Sequence, residues 1–583
     1  MSIILGIDAY HPDAAACLVI DGKLKAAVAE ERLGSRWKHD ASFPANSIRW
    51  CLDYAGIKLD DVTHVAVARD QSSNKAAKVE YVLRHPVASR SIVSTFLKRR
   101  KKLASLREQL VEICGSSMQN YHAQEVYVEH HLAHLASSYY LSPFDFAAGL
   151  TYDGAGDFAA LLAARCQGNQ IEVLDRVCLP HSLGFFYTAL CQFIGFDGFG
   201  EEYKVMGLAP YGEDRFGKEM EQLLALPDNG WFRLNPRYLA MPRGYDESCM
   251  DEHGFIRLEC LYTSRIQELF GPSRKRGEEL TQRDKDIARS CQAHFEKAAI
   301  HCVNRLHGLV PERNLCMAGG CALNGVANAR ILRDTPFTTP YLQAASSDDG
   351  TCLGAAYWCY HNVVGGQERF WMKHAFWGPE YPETEIVSAL QKHQLTAYRC
   401  MDNAELTDRA AQLIHQGNVV GWYQGRSEWG PRALGNRSIL ANPTIPTMKA
   451  TINAKIKRRE SFRPFAPSVL KEQVSTYFEQ EVDSPFMMHV VRFKPEWRDK
   501  LPAVTHADGT GRLQSVEEAN NPLYYMLIRR FMDYSGVGIV LNTSFNENEP
   551  VVDTPEQALN CYLRTDMDAI CLGRYILTKN NVK

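Results

Sequence analysis

No apolar stretch in this sequence is longer than a β-strand, so a membrane-spanning helix, which needs about 20 consecutive apolar residues, is not expected. Charge of either sign is nearly absent in the balance: the net value is −3 over 583 residues. A basic field across the whole molecule is therefore missing, and with it the electrostatic footprint of a nucleic-acid or membrane-surface binder. No tract of biased composition runs beyond a few residues. Cysteines are present, 17 of them, but they are scattered and contain no CxxC pair. That argues against a disulfide framework or a zinc knuckle and for a reducing compartment. The N-terminal MSIILGIDAY has no basic residue ahead of its apolar run and reads as a first strand, not a secretory signal. The expectation from these absences is a cytoplasmic protein that meets neither membrane nor nucleic acid.

What is present is globular: 45% hydrophobic and 23% charged residues, over a length that favours roughly two to four domains. The most useful pattern is an internal echo. From Ile3 the chain reads strand (IILGID), loop, strand (AAACLVI), an Asp21-Gly22 turn and strand (KLKAAVAE). From Ala147 it reads strand (AAGLTYD), Gly-rich loop (GAGD), strand (FAALLAAR), turn and strand (QIEVLDR). Asp8 closes the first strand of one copy and Asp153 that of the other, and a hairpin follows each. Two such units separated by helical sequence are the pattern of a duplicated actin-like α/β fold. Between 366 and 385 the texture loosens. That stretch is read as a linker between a domain over 1–365 and a second α/β domain over 386–583.

The segment EHHLAHLASSYYL places His130 and His134 four residues apart on one helix face. Two imidazoles suit a divalent metal but leave it incomplete; Asp153, and Asp348 in SSDDGTCLG, are candidate oxygen donors. A pair of histidines capping a buried helix is the competing explanation, and for a bare HxxxH it is the commoner one. Gly319 and Gly320, between an apolar strand and a helix containing Asn324, allow close backbone approach to a nucleotide. Gly154 and Gly156 in YDGAGD do the same, although tight strand-to-helix turns use such glycines too. Cationic residues gather toward the C-terminus in EWGPRALGNRSIL, KIKRRESFRPFAPSV and HADGTGRLQSV. Arg432, Lys457, Arg463 and Arg512 are candidates to converge on one phosphate, with Ser544 or Asn546 adding hydrogen bonds. Unrelated surface salt bridges are the alternative, but Trp429, Phe462, Phe465 and several prolines stiffen the neighbouring backbone.

Together these motifs resemble the O-carbamoyltransferases of natural-product pathways, including the tobramycin, cephamycin and nodulation-factor enzymes. The resemblance runs almost end to end, through GIDAYHPDAAACLVIDG, EERLGSRWKHD, EHHLAHLASSYY, YDGAGD, EEYKVMGLAPYG, AGGCALN, SDDGTCLGAA, EWGPRALGNRSIL, KRRESFRPFAP, DGTGRLQSV and LNTSFN. It implies a Kae1-like, actin/Hsp70-type duplicated N-terminal domain and a YrdC-like α/β C-terminal domain. It implies that His130, His134, Asp153 and Asp348 hold a divalent metal, Fe2+ ahead of Mn2+ or Mg2+, and that ATP and carbamoyl phosphate are co-substrates. Arg432, Lys457, Arg463, Arg512 and Ser544 sit at motif positions that bind carbamoyl phosphate in the family, Arg432 and Lys457 being assigned catalytic roles. Glu202, Lys204 and Gly207 in EEYKVMG match a segment lining the nucleotide and acceptor cleft. His11 matches the position proposed as base toward the acceptor hydroxyl, and a loop histidine capping backbone weighs as much.

The implied reaction forms carbamoyl-adenylate and passes its carbamoyl group to a hydroxyl of a small molecule whose identity the sequence does not reveal. Leu33-Gly34 departs from the usual Phe-Ser/Thr in a loop expected to face that acceptor, and Asn548 replaces a usual Gly in a turn. Family members of this size are often dimers, so a homodimer is compatible with the resemblance. Enzymes of tRNA threonylcarbamoyladenosine synthesis share both domain types, but the near-neutral charge speaks against RNA. A sugar kinase leaves the His pair and the basic second domain without a use.

Overall fold

The computed structural model describes residues 1–34, 37–84, 105–241, 256 and 258–579. They form two compact units, Met1–Met372 and Lys373–Lys583.

In the first unit β1 (Ile3–Asp8) and β2 (Ala15–Ile20) are near-continuous buried apolar runs, while β3 (Lys23–Ala29) starts by alternating exposed and buried residues as an edge strand does. Asp21 and Gly22 join β2 to β3 with φ of 47° and 75°, the paired left-handed conformation that an Asp-Gly hairpin requires. With β4 (His64–Val67) and β5 (Gln124–Tyr127) these strands form a five-stranded sheet ordered β3-β2-β1-β4-β5. It is antiparallel through the hairpins and parallel from β1 to β5.

The plan then repeats. β6 (Phe146–Gly156), β7 (Ala159–Gln167) and β8 (Gln170–Cys178) make the antiparallel hairpins, and after a small separate pair, β9 (Leu224–Ala225) and β10 (Arg233–Leu234), β11 (Asn314–Ala318) and β12 (Thr339–Tyr341) add in parallel. The order β8-β7-β6-β11-β12 reproduces that of the first sheet, so the echo in the sequence is a duplication of structure. One detail differs from the expectation. GAGD does not leave the sheet as a loop: β6 runs on to Gly156 after its register shifts between Tyr152 and Gly156, and Asp153 therefore sits on a bulge.

The helix His130–Tyr139 packs on β6, β7 and β11, and the helix Thr351–Asn362 packs on β1, β2 and β4. The two helices also pack on each other, which makes a double layer between the sheets. Both are buried on nearly every side.

The second unit is a mixed α/β domain. Its strands are β13 (Tyr398–Arg399), β14 (Val420–Tyr423), β15 (Arg437–Ala441), β16 (Ala466–Leu470), β17 (His489–Arg492), β18 (Thr510–Val516), β19 (Ile539–Ser544), β20 (Ala569–Leu572) and β21 (Tyr575–Thr578). They form one nine-stranded sheet ordered β13-β21-β20-β14-β15-β19-β16-β18-β17. The stretch expected as a linker is divided between the units. Arg369 donates to the backbone carbonyls of Tyr139, Phe144 and Gly168 and is built into the first. Gly378 and Pro379 exchange backbone hydrogen bonds with Ser427 and belong to the second. Among the described residues no helix is long and apolar enough to cross a membrane.

Candidate metal centre and phosphate site

Four side chains from separate elements meet inside the first unit. His130 and His134 project from one face of their helix, Asp153 from the β6 bulge, and Asp348 from the short turn that starts the helix Thr351–Asn362. One ligand atom from each lies within 4.8 Å of all the others. The Nε2 atoms of the two histidines are 3.0 Å apart. They stand 3.5 and 3.3 Å from Asp153 Oδ2 and 3.4 and 3.2 Å from Asp348 Oδ1. Bonds of about 2.1 Å to one central ion put neighbouring ligand atoms about 3.0 Å apart in octahedral and about 3.4 Å in tetrahedral geometry, so the observed edges fit a single first-row divalent ion. The electrostatics agree. Burial alone would lower the pKa of His134, but hydrogen bonds to Asp153 and Asp348 win and push it up to about 10. The carboxylate pair that draws a proton there would draw a cation in its place.

The cluster has a rim. The second oxygen of Asp348 lies 2.6 Å from His11 Nδ1, and the second oxygen of Asp153 accepts from the Gly320 N–H at 3.0 Å. His11 is buried, and that burial lowers its pKa despite Asp348, so the imidazole is neutral near pH 7. His131 points elsewhere and pairs with Thr151 Oγ1 at 2.7 Å. Asp157 holds the helix entry, one of its oxygens accepting from the N–H groups of His130 (3.0 Å) and Asp70 (2.8 Å). Although Asp8 and Asp153 occupy equivalent strands of the duplication, their fates differ. Burial, with Asp348 nearby, raises the pKa of Asp8, which stays outside the ligand set.

The glycines expected at a nucleotide are used unequally. A Cβ on Gly156 would fall 2.0 Å from a carbon of the His130 ring, so this glycine makes room for a cluster histidine. Gly319 has φ 97°, and a Cβ there would meet the Tyr152 carbonyl at 2.3 Å. Gly154 lies against Phe185. Asn324 caps the helix Gly325–Asp334 through the Ala327 N–H and pairs with the amide of Gln292, which leaves its side chain committed to structure. Glu202 and Lys204 stand with Gly207 on the helix Glu202–Leu208; Glu202 accepts from Thr188 Oγ1 at 2.7 Å, and Lys204 donates to Glu201 Oε1 at 2.7 Å.

His39, which follows the Leu33-Gly34 departure, lies 2.6 Å from Asp13 and donates its backbone N–H to Glu31; Ser35 and Arg36 of the same segment lie outside the described residues. Burial would lower the pKa of His39, but Asp13 and Glu31 hold it at about 9. Because the folded value exceeds the unfolded one, about 6.5, this pair contributes stability that is fully present below pH 6.5 and is lost as pH rises through 9. Melting temperature is therefore expected to fall over that window, and His39→Gln should flatten that part of the profile. A parallel decline in both proteins would show that His39 carries no proton in the fold.

In the second unit the expected cations form two groups. Lys457, at the end of a π-helical turn, is 1% exposed, and its Nζ donates to Ser544 O (2.6 Å) and Oγ (3.2 Å) and to Asn546 O (2.8 Å) and Oδ1 (2.6 Å). Ser544 and Asn546 thus serve the lysine in this structure, and Ser544 Oγ donates onward to Asn546 Oδ1. The second group is four guanidinium groups. Burial pushes Arg512 far below the ordinary arginine value, and Arg432, Arg459 and Arg463 push it further. Burial brings Arg432 down to about 10. Neither Arg432 nor Arg512 has a carboxylate partner among the described residues; both are half-buried, Arg432 Nε is enclosed without an acceptor, and like charges clustered in this way call for an anion. Arg459 has no distinguishing mark in the sequence, where it is one basic residue in a run. Glu428 is equally unmarked there; its Oε1 accepts from the N–H groups of Leu434, Asn436 and Arg437 at 2.8, 2.9 and 3.1 Å and so shapes the loop carrying Arg432. Asn548 has no positive φ, so the place usually held by Gly asks nothing special of its backbone here.

Comparison with known proteins agrees with this division. The family model for the carbamoyltransferase N-terminus matches residues 3–357, and that for the carbamoyltransferase C-terminus matches 411–579. The uncharacterized protein sll1178 of Synechocystis sp. is 38% identical, over 99% of this chain and 97% of its own. Nodulation protein NolNO of Sinorhizobium fredii is 37% identical, over 98% of this chain and 79% of its own. Among solved structures, T. kodakarensis HypF matches 62% of this chain and 48% of its own with a TM-score of 0.31 and 14% identity. With both halves matched and relatives aligned nearly end to end, this chain belongs to the carbamoyltransferase family of enzymes.

Proposed function

We propose that the protein is an ATP-dependent O-carbamoyltransferase that forms carbamoyl-adenylate from carbamoyl phosphate and ATP and transfers the carbamoyl group to a hydroxyl of a small molecule. One observation carries this reading. A single chain holds both a largely buried His2Asp2 cluster edged by His11 and a half-buried arginine group in which Arg432 and Arg512 lack acidic partners among the described residues.

The arginine group suits a phosphate dianion, and Arg432, Arg459, Arg463 and Arg512 meet the charge that grows on the transferring phosphoryl oxygens. Water bonds to phosphorus, the bond to the carbamoyl oxygen breaks, and phosphate and carbamate separate. A carbamate oxygen then displaces pyrophosphate from the α-phosphorus of ATP. The acceptor oxygen finally attacks the carbamoyl carbon, its proton goes to His11 Nε2, and AMP leaves with the phosphoanhydride electrons. Asp348 orients His11 through Nδ1. A divalent ion held by His130, His134, Asp153 and Asp348 would supply a Lewis acid for phosphate oxygens, and this mixed nitrogen and oxygen set suits Fe2+ or Mn2+ better than Mg2+.

The test is ATP–pyrophosphate exchange by the purified chain with and without carbamoyl phosphate, followed by mass spectrometry of candidate alcohols. Exchange that depends on carbamoyl phosphate, and a gain of one carbamoyl group that depends on ATP, are expected. Carbamoyl transfer proceeding at full rate without ATP would overturn the adenylate route.

A further inference from the structure

Arg69 lies two residues past the end of β4, and its position is set by the sheet. β4 lies between β1 and β5, so its C-terminal end is flanked by the Asp8–His11 turn on one side and by Glu129 and His130 on the other. Parallel strands present their carboxyl ends to ligands. The backbone on both sides of Arg69 is tied to these neighbours: the Ala68 N–H donates to Ile7 O at 3.0 Å, and the Asp70 N–H shares Asp157 Oδ2 with the His130 N–H.

The side chain is 6% exposed. Its Nε and Nη2 are buried and have no hydrogen-bond acceptor among the described residues, and no described carboxylate forms an ion pair with it. Its charge nevertheless acts on both Asp8 and His11, which puts the guanidinium on the His11 side of the cluster. A guanidinium does not shed its proton to escape burial. An enclosed cation with unmet donors is costly, and it is tolerated where an anion arrives to meet it. Lys78, whose charge Arg69 opposes, is already engaged with the carbonyls of Gln71 and Ser73.

We propose that Arg69 binds a negatively charged phosphate oxygen of the nucleotide, beside His11. The assignment rests on the functional reading above, and it gives that reading a fixed positive charge where the adenylate's phosphate leaves. The experiment is calorimetric titration of the full chain with ATP and, separately, with adenosine, for the parent protein, Arg69→Gln and Arg69→Lys. Arg69→Gln is expected to weaken ATP binding about 10- to 100-fold, to leave adenosine binding unchanged, and to be partly rescued by lysine. Its ligand-free melting temperature should match or exceed the parent's, because an unmet buried charge is gone. Equal ATP affinity in Arg69→Gln and parent overturns the assignment alone. Equal loss of ATP and adenosine with a lowered melting temperature also overturns it, by making Arg69 a packing residue. A parent protein that binds no ATP would sink the functional reading and this inference with it.

Discussion

Asp348→Asn is expected to lower carbamoyl transfer by at least about 100-fold and to abolish divalent-ion binding at the proposed His130, His134 and Asp153 site while the fold survives. One oxygen of this carboxylate faces both cluster imidazoles, at 3.4 and 3.2 Å, and the other lies 2.6 Å from His11. An amide keeps the shape but removes the charge, and it turns one of the two acceptors into a donor. Whichever way the amide settles, either the cation face or the His11 contact is lost. The ligand-free protein gains something in return. Asp348 raises the pKa of Asp8 and works in the same direction on Asp153, so neutralising it relieves like-charge repulsion in the core. The pairing with His11, His134 and His130 still holds Asp348 well below the usual carboxylate range against its burial, so losing that charge costs the ligand-free protein some stability. Metal content after loading with Fe2+ or Mn2+, turnover, and a melting curve check the three parts. A variant with full metal content and parental turnover would remove Asp348 from the ligand set.

Arg512→Met should all but stop consumption of carbamoyl phosphate, by about 100-fold or more, and leave ATP binding intact. The half-buried guanidinium faces the like charges of Arg432, Arg459 and Arg463, and His506 near it is held neutral, its pKa brought down to about 4 by burial with help from Arg512. Such a cluster is strained without an anion, so the effect on stability should run opposite to the effect on activity. Methionine fills much of the volume without the charge, and the ligand-free variant should melt at or above the parent temperature. Phosphate or carbamoyl phosphate at about 100 times Kd should stabilise the parent by about 2.7 kcal/mol, a rise of about 5–10 °C for a domain of this size, and should do nothing for the variant. An unchanged anion-induced shift in Arg512→Met would move the phosphate site elsewhere.

Several of these residues are legible in the order of the chain alone. The i, i+4 spacing puts His130 and His134 on one helix face, and a strand followed by glycine marks Asp153. Asp348 is marked by its SSDDGTCLG context only as a candidate donor, because 214 residues separate it from His134 and nothing local ties the two together. Other residues carry no such signal. Arg69 is one arginine after VAVA, and nothing near it in the chain tells that its donors go unmet. Glu428 looks like a surface acid, yet it is buried and shapes a loop through three backbone hydrogen bonds. Gly156 reads as part of a phosphate-type loop, and in the fold it lies beneath the His130 ring.

The sequence by itself determined the duplicated strand plan, the Asp-Gly hairpin, the facing histidine pair and membership of the family, since each depends on residues within a few positions of one another or on motif order. Only the tertiary structure decided which candidates share a site, that Asp8 and Asp153 part ways, that Lys457 is ringed by protein oxygens, and that Arg69 is buried without an ion-pairing carboxylate among the described residues. Periodicity is written along the chain, whereas the energy of a charge is set by whatever distant segments the fold brings against it.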